Sequence, residues 1–173
     1  MSTTDELLQA NQRYAQAFNL GDLPMPPARK VAVVACMDAR LTVEQVLGLN
    51  TGDAHIIRNA GGIVTEDALR SLIISHHLLG TQEFLIINHT DCGMLTFHDE
   101  ELRRRLENET GTAVDAPVHF HAFSDLEDNV RRQIERVRSH PWIPQQIPVR
   151  GFVYDVKTGK LREVQRTAGA VAA

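Results

Sequence analysis

Two apolar runs that end in reactive side chains constrain this chain more than any other feature. Residues 31–36 read Val-Ala-Val-Val-Ala-Cys, and residues 84–89 read Phe-Leu-Ile-Ile-Asn-His. Short apolar runs rich in β-branched residues, bounded by turns, are the pattern of fully buried strands. Such strands belong to parallel sheets covered by helices, and ligands bind in those sheets at the carboxyl ends of the strands. In this chain those ends carry Cys36-Met37-Asp38-Ala39-Arg40 and His89-Thr90-Asp91-Cys92-Gly93. Cys36 and Cys92 are the only 2 cysteines in 173 residues.

The residue types point to a metal. Zinc takes thiolate sulfur and imidazole nitrogen readily. Two thiolates and a neutral imidazole cancel its double charge, and three protein ligands leave a fourth position for water. Zinc lowers the pKa of such water from about 15.7 to about 7 in favourable sites. Two other readings of the cysteines stand beside this one. A disulfide is disfavoured by the absence of a secretory signal and of a disulfide-dense composition. Inert core thiols are common, but they leave His89-x-x-Cys92 unexplained. Asp38 offers a carboxylate that can serve as a fourth ligand and close the site.

Three ordered motifs, Cys36-Met37-Asp38-Ala39-Arg40, Arg58-Asn59-Ala60-Gly61 and His89-Thr90-Asp91-Cys92-Gly93, resemble the pattern of the β-class carbonic anhydrase family over nearly the whole chain. The resemblance implies that Cys36, His89 and Cys92 are zinc ligands, with one Zn²⁺ per chain. It also implies that Asp38 and Arg40 form the catalytic pair beside the open position. Physical reasoning gives the pair the same role. Arg40 can hold the Asp38 carboxylate through a two-pronged interaction that keeps it ionised and off the metal. Asp38 then orients the nucleophile. The bland alternative is a surface ion pair of little worth. The chain departs from the family pattern in three places. Ala39 stands where many members have Ser, Gly93-Met94 where many have Gly-Gly, and Pro27 where plant-type members have Gln.

The expected activity is reversible hydration of carbon dioxide to bicarbonate and a proton through a zinc-bound hydroxide. The first alternative keeps the site and takes carbonyl sulfide or carbon disulfide, which a less polar pocket around Ala39 and Met94 favours. The second is a non-catalytic zinc protein with Asp38 closing the site.

The remaining sequence fits an α/β fold, a mostly parallel central sheet flanked by helices with a C-terminal antiparallel hairpin. The length suits one domain over residues 1–173. Strands are expected at residues 31–36, 54–58, 84–89, 149–156 and 161–165, the last two joined by a turn at Lys157-Thr158-Gly159-Lys160. Helices are expected at 4–20, ended by Gly21, and at 65–79, stopped by Gly80. Thr42 with Gln45 and Ser124 with Glu127 fit capping-box spacing. Leu126, Val130, Ile134 and Val137 then form an apolar stripe. The first helix and Pro24-Met25-Pro26-Pro27 make residues 1–27 an N-terminal arm. In the resembled family such arms cross a dimer interface, so at least a homodimer is expected.

A formal charge of −4 gives no reason to expect nucleic acid. No apolar stretch is long enough for a membrane span, and no signal peptide is visible, so a small-molecule substrate and a cytoplasmic location are expected. His76-His77 is expected to place one ring inward and one outward, without a metal role. His119 and His121, alternating with Val118 and Phe120, are expected to be a satisfied or solvated pair. Arg103-Arg104-Arg105 reads as a solvated helix face. Arg58-Asn59-Ala60-Gly61-Gly62 suggests a tight turn, either supporting the pocket or contacting its contents. The Ala/Gly-rich tail after Thr167 is expected to be disordered.

Overall fold

The computed structural model describes residues 2–114 and 119–165. Val118 and the tail after Thr167 lie outside these residues. Five strands form one sheet, β1 (Val31–Cys36), β2 (Ala54–Asn59), β3 (Glu83–His89), β4 (Val149–Tyr154) and β5 (Leu161–Glu163), in the order β2-β1-β3-β4-β5. β1 runs parallel to β2 and β3, β3 runs parallel to β4, and β5 alone is antiparallel. Register decides what meets at the carboxyl edge. Ala35 pairs with Ile87 and Cys36 with Asn59, so Cys36 ends level with the approach to His89 on the next strand.

Helices α1 (Thr3–Gln16), α2 (Val43–Leu47), α3 (Glu66–Leu79), α4 (Asp99–Thr110) and α5 (Leu126–Arg138) complete the fold. One face of the sheet buries Ala32, Val34, Phe84 and Ile86 in a cluster with Leu72 of α3 and Val130 and Ile134 of α5. Burying a side chain of that size stabilises by about 1.5–3 kcal/mol. The other face gathers Val33, Ala35, Leu41, Val43 and Ile87 around Cys36 and Cys92. Gly151 lets α5 lie close over β4, since a Cβ there would collide with Val130 and Ile134.

The strands and α3 follow the sequence closely, and Gly80 caps α3 in the left-handed conformation at φ 73°. Four details differ. α1 ends at Gln16 rather than near Gly21, because the Ala17 N–H turns back to Tyr14 and Ala15 carbonyls. Thr42 flanks α2 without a hydroxyl cap; its ψ is 93°, whereas Ser2 and Thr65, whose hydroxyls do cap, sit at 159° and 172°. α5 is capped by Asp125, not Ser124, its carboxylate accepting the Asp128 N–H at 2.7 Å. A full negative charge also favours the positive end of the helix dipole. The β4–β5 turn begins earlier than expected, at Asp155, whose carboxylate accepts the Lys157 and Thr158 N–H groups.

Not one residue of α1 is buried. Leu7, Leu8 and Tyr14 are 65%, 57% and 57% exposed. The connector regains the body at Pro27, which is buried, and Ala28 and Arg29 donate N–H groups to Gly52 and Asp53 carbonyls. Among the described residues no helix is long and apolar enough to cross a membrane.

Candidate metal centre

The end of β1 supplies Cys36, the end of β3 supplies His89, and the loop after it supplies Cys92. Their candidate ligand atoms all lie within 4.8 Å of one another, and all three residues are buried. His89 is 0% exposed. Its Nδ1 is 2.8 Å from the Thr90 carbonyl. A carbonyl only accepts, so Nδ1 carries the proton and Nε2 presents a lone pair. Nε2 is buried with no hydrogen-bond partner. An unsatisfied buried acceptor is costly. Here it sits beside two sulfurs, and the three together make the donor set of a borderline-soft divalent ion. The second ring nitrogen, fixed by a backbone carbonyl, is how metal-ligating histidines are usually oriented.

Cys92 donates to Cys36, which lowers the Cys36 pKa and raises that of Cys92; burial opposes the first shift and adds to the second. The backbone N–H groups of Asp38 and Gly61 also favour the Cys36 thiolate. Burial pulls the His89 pKa down, but the Cys36 sulfur, the Thr90 carbonyl and Asp38 outweigh it, for a net rise. A proton and a metal ion therefore compete for the same nitrogen.

Asp38 and Arg40 meet as expected. Arg40 Nε reaches Asp38 Oδ1 at 2.9 Å and Nη2 reaches Oδ2 at 2.8 Å, and the Arg40 backbone N–H adds a third bond to Oδ1 at 2.9 Å. These bonds hold the Asp38 carboxyl well below the usual carboxylate range. Asp38 Oδ2 stands 3.6 Å from His89 Nε2, so the charged oxygen borders the space between the candidate ligands.

Two further anchors complete the site, Asp91, which was not assigned from sequence, and Arg58, which was read there only as part of a turn. Arg40 is held from its other side by Asp91, through Nη1 to the carboxylate at 2.8 Å and Nη2 to the Asp91 carbonyl at 3.0 Å. Asp91 adopts φ 55°, a left-handed conformation that Asp tolerates better than most residues. Its place within the second motif was the available signal. Arg58 donates to the Cys36 carbonyl at 3.0 and 2.9 Å and to the Asp38 carbonyl at 2.7 Å. The arginine of the Arg-Asn-Ala-Gly motif thus supports the backbone that carries both residues, the supporting role of the two considered for it.

The other histidines are elsewhere. His76 Nδ1 bonds the Thr81 carbonyl and is half-buried, while His77 is exposed and bonds the Trp142 carbonyl. His119 and His121 are exposed with ring centres 6.0 Å apart. Among the described residues the Cys36, His89 and Cys92 cluster is the one grouping of three or more candidate metal donors.

A family profile described as carbonic anhydrase matches residues 31–161. Beta-carbonic anhydrase 1 of Mycobacterium tuberculosis is 48% identical over 164 residues, covering 95% of this chain and 99% of that protein. The crystal structure of carbonic anhydrase from Streptococcus mutans aligns with a TM-score of 0.89 and 46% identity, covering 95% of this chain and 99% of that one. A carbon disulfide hydrolase of Acidithiobacillus thiooxidans is 33% identical over 172 residues, covering 89% of this chain and 85% of its own.

Proposed function

Since the chain belongs to the carbonic anhydrase family, in its β class, we propose that it catalyses the reversible hydration of carbon dioxide to bicarbonate and a proton at the Cys36–His89–Cys92 centre. The observation that carries this reading is the buried, unpartnered His89 Nε2 beside two sulfurs and a clamped carboxylate. Cys36, His89 and Cys92 would hold one zinc ion per chain. Zinc in such a site supplies a Lewis acid that makes water nucleophilic near neutral pH.

The protein's own groups do the rest. Asp38, kept ionised by Arg40, accepts a hydrogen bond from the attacking water at Oδ2 and orients a lone pair toward the substrate carbon. Arg40 cannot easily release Asp38, because Asp91 fixes the guanidinium from behind. Held in this way, the carboxylate would be kept from swinging onto a bound ion. Cys36 and Cys92 share an apolar cluster with Ile63, Ile87, Met94 and Phe123. Such surroundings suit a nonpolar gas and strengthen the local electrostatics.

α1 is assigned a partner, a second copy of the chain. Its exposed Leu7, Leu8 and Tyr14 form the kind of unpaired apolar surface that marks an interface. The chain is read as one domain, with residues 1–27 as the arm that reaches the other subunit. The cytoplasm is the proposed compartment, because both thiols must stay reduced to bind metal.

Stopped-flow hydration of carbon dioxide on zinc-loaded protein tests the reading. Rapid turnover is expected. The similarity to a carbon disulfide hydrolase supports the second reading, hydrolysis of carbonyl sulfide or carbon disulfide, which hydrogen sulfide release would reveal.

A further inference from the structure

Three buried amide side chains outside the metal site form a closed circuit. Asn88 Nδ2 donates to the Gly62 carbonyl at 3.3 Å, and Asn129 Nδ2 donates to Asn88 Oδ1 at 2.7 Å. Gln133 Nε2 donates to Asn129 Oδ1 at 2.9 Å, and Gln133 Oε1 accepts the Val64 N–H at 2.9 Å. The circuit starts and ends in one turn, residues 61–64, and passes through β3 and α5 on the way. Its direction is fixed at both ends, because Gly62 offers only an acceptor and Val64 only a donor. No amide can flip without breaking two bonds. Asn88, Asn129 and Gln133 are 1%, 3% and 7% exposed.

Burying three amides where aliphatic side chains would fill the same space is unfavourable unless every group is paired, and a fully paired network is rigid. The turn it grips needs outside support. Gly61 and Gly62 both have positive φ, 82° and 61°. Asn59 adds a second brace, its side chain bonding both the N–H and the carbonyl of Ile63 at 2.8 and 2.7 Å. The same turn packs on the strands that carry the candidate ligands, since a Cβ on Gly62 would stand 2.9 Å from the Cys36 nitrogen and 3.0 Å from the Ile87 carbonyl oxygen.

We propose that Asn88, Asn129 and Gln133 are positioning residues for the metal centre, holding the Gly61–Gly62 turn against the Cys36 backbone and so fixing how that ligand is presented to the ion. The proposal rests on the reading of Cys36 as a ligand. Losing the circuit lets the turn and the Cys36 backbone it packs on shift, and leaves the ligand less well oriented. Outer partners of metal ligands typically matter by about 10–100-fold in affinity.

The test uses Asn129→Leu, which removes the middle rung at similar volume, and Gln133→Met, which removes the last. Gln133 borders a surface cavity of about 430 Å³, so the methionine has room. Val137→Ala is the control, a fully buried residue of the same helix outside the circuit. Zinc affinity is read by chelator competition, and the sulfur-to-cobalt charge-transfer band by absorption of the cobalt-loaded protein. Both ladder variants are expected to lose about 10–100-fold in zinc affinity and to shift the band. Val137→Ala, with comparable thermal destabilisation, is expected to leave both unchanged. Affinity within twofold of wild type in the ladder variants would overturn the proposal. So would an equal loss in the control, or a failure of both ladder variants to fold, which would assign the amides to stability alone. A wild-type chain with no zinc affinity would overturn the metal reading itself, and the proposal with it.

Discussion

Replacing Gly62 by alanine isolates the link between backbone packing and the metal centre. A Cβ on Gly62 would stand 2.7 Å from Asn88 Nδ2, 2.9 Å from the Cys36 nitrogen and 3.0 Å from the Ile87 carbonyl oxygen. The last two are strand backbone and cannot swing aside. The residue also sits at φ 61°. The left-handed conformation costs an L-residue roughly 1–2 kcal/mol, and forcing an extra methyl into packed structure costs about 1–3 kcal/mol more. The sum, about 2–5 kcal/mol, lowers the melting temperature by roughly 4–20 °C for a chain of this size. Gly80→Ala separates the two contributions. Gly80 has φ 73°, and a Cβ there would meet nothing within 4 Å, so only the conformational cost applies. Calorimetry and zinc titration on both variants give the assay. Gly62→Ala should melt well below Gly80→Ala and bind zinc about 10–100-fold more weakly, because the displaced backbone is that of Cys36. A Gly62→Ala protein that melts no lower than Gly80→Ala and keeps wild-type zinc affinity would refute the reasoning.

Cys92→Ala leaves two ligands and should weaken zinc binding by more than about 100-fold, beyond the loss of any outer partner, as equilibrium dialysis would show. Asp38→Ala should keep its zinc and lose on the order of 100-fold in kcat/KM, since the nucleophile is no longer oriented. Leu8→Glu should shift the sedimentation coefficient to that of a monomer if α1 packs on a second copy. The fifth prediction concerns acid stability. Burial raises the Asp99 pKa, but N–H bonds from Ala122, His121 and Phe120 at 2.9, 3.2 and 3.0 Å outweigh it, for a net lowering. A lowered folded pKa contributes stability that is present above the unfolded value, about 3.9, and is lost as pH falls through the folded one. Wild type should therefore melt above Asp99→Asn at neutral pH, and the gap should narrow below about pH 4. A gap that stays constant into acid would contradict this.

The strands were legible because unbroken apolar runs leave few alternatives, and the first strand, Val31–Cys36, matches the sequence reading residue for residue. The candidate metal donors were legible because they are rare types at strand ends. Helix boundaries were less so. Ser124 and Asp125 are adjacent residues that can each cap a helix, and the choice between them depends on which oxygen reaches the Asp128 N–H. α1 has no buried residue that would set its end, so Gly21 had no bearing on it. The supports of the site were the least legible. Asn129 and Gln133 flank the stripe of Leu126, Val130, Ile134 and Val137 at a spacing of four. Nothing local says that their amides turn inward to meet Asn88, which is 41 residues from Asn129. Asp91 stood in a recognised motif, yet its grip on Arg40 spans 51 residues and two loops. Local pattern specifies elements and rare ligands, whereas hydrogen bonds between distant polar residues emerge only when the sheet brings them together.

The most direct test of the central claim is stopped-flow measurement of carbon dioxide hydration on protein carrying one zinc ion per chain, from neutral to alkaline pH. The account predicts rapid turnover that Asp38→Ala largely abolishes without loss of zinc. Zinc in place with no hydration at any pH would contradict it, and hydrogen sulfide release from carbon disulfide by that same protein would identify the substrate instead.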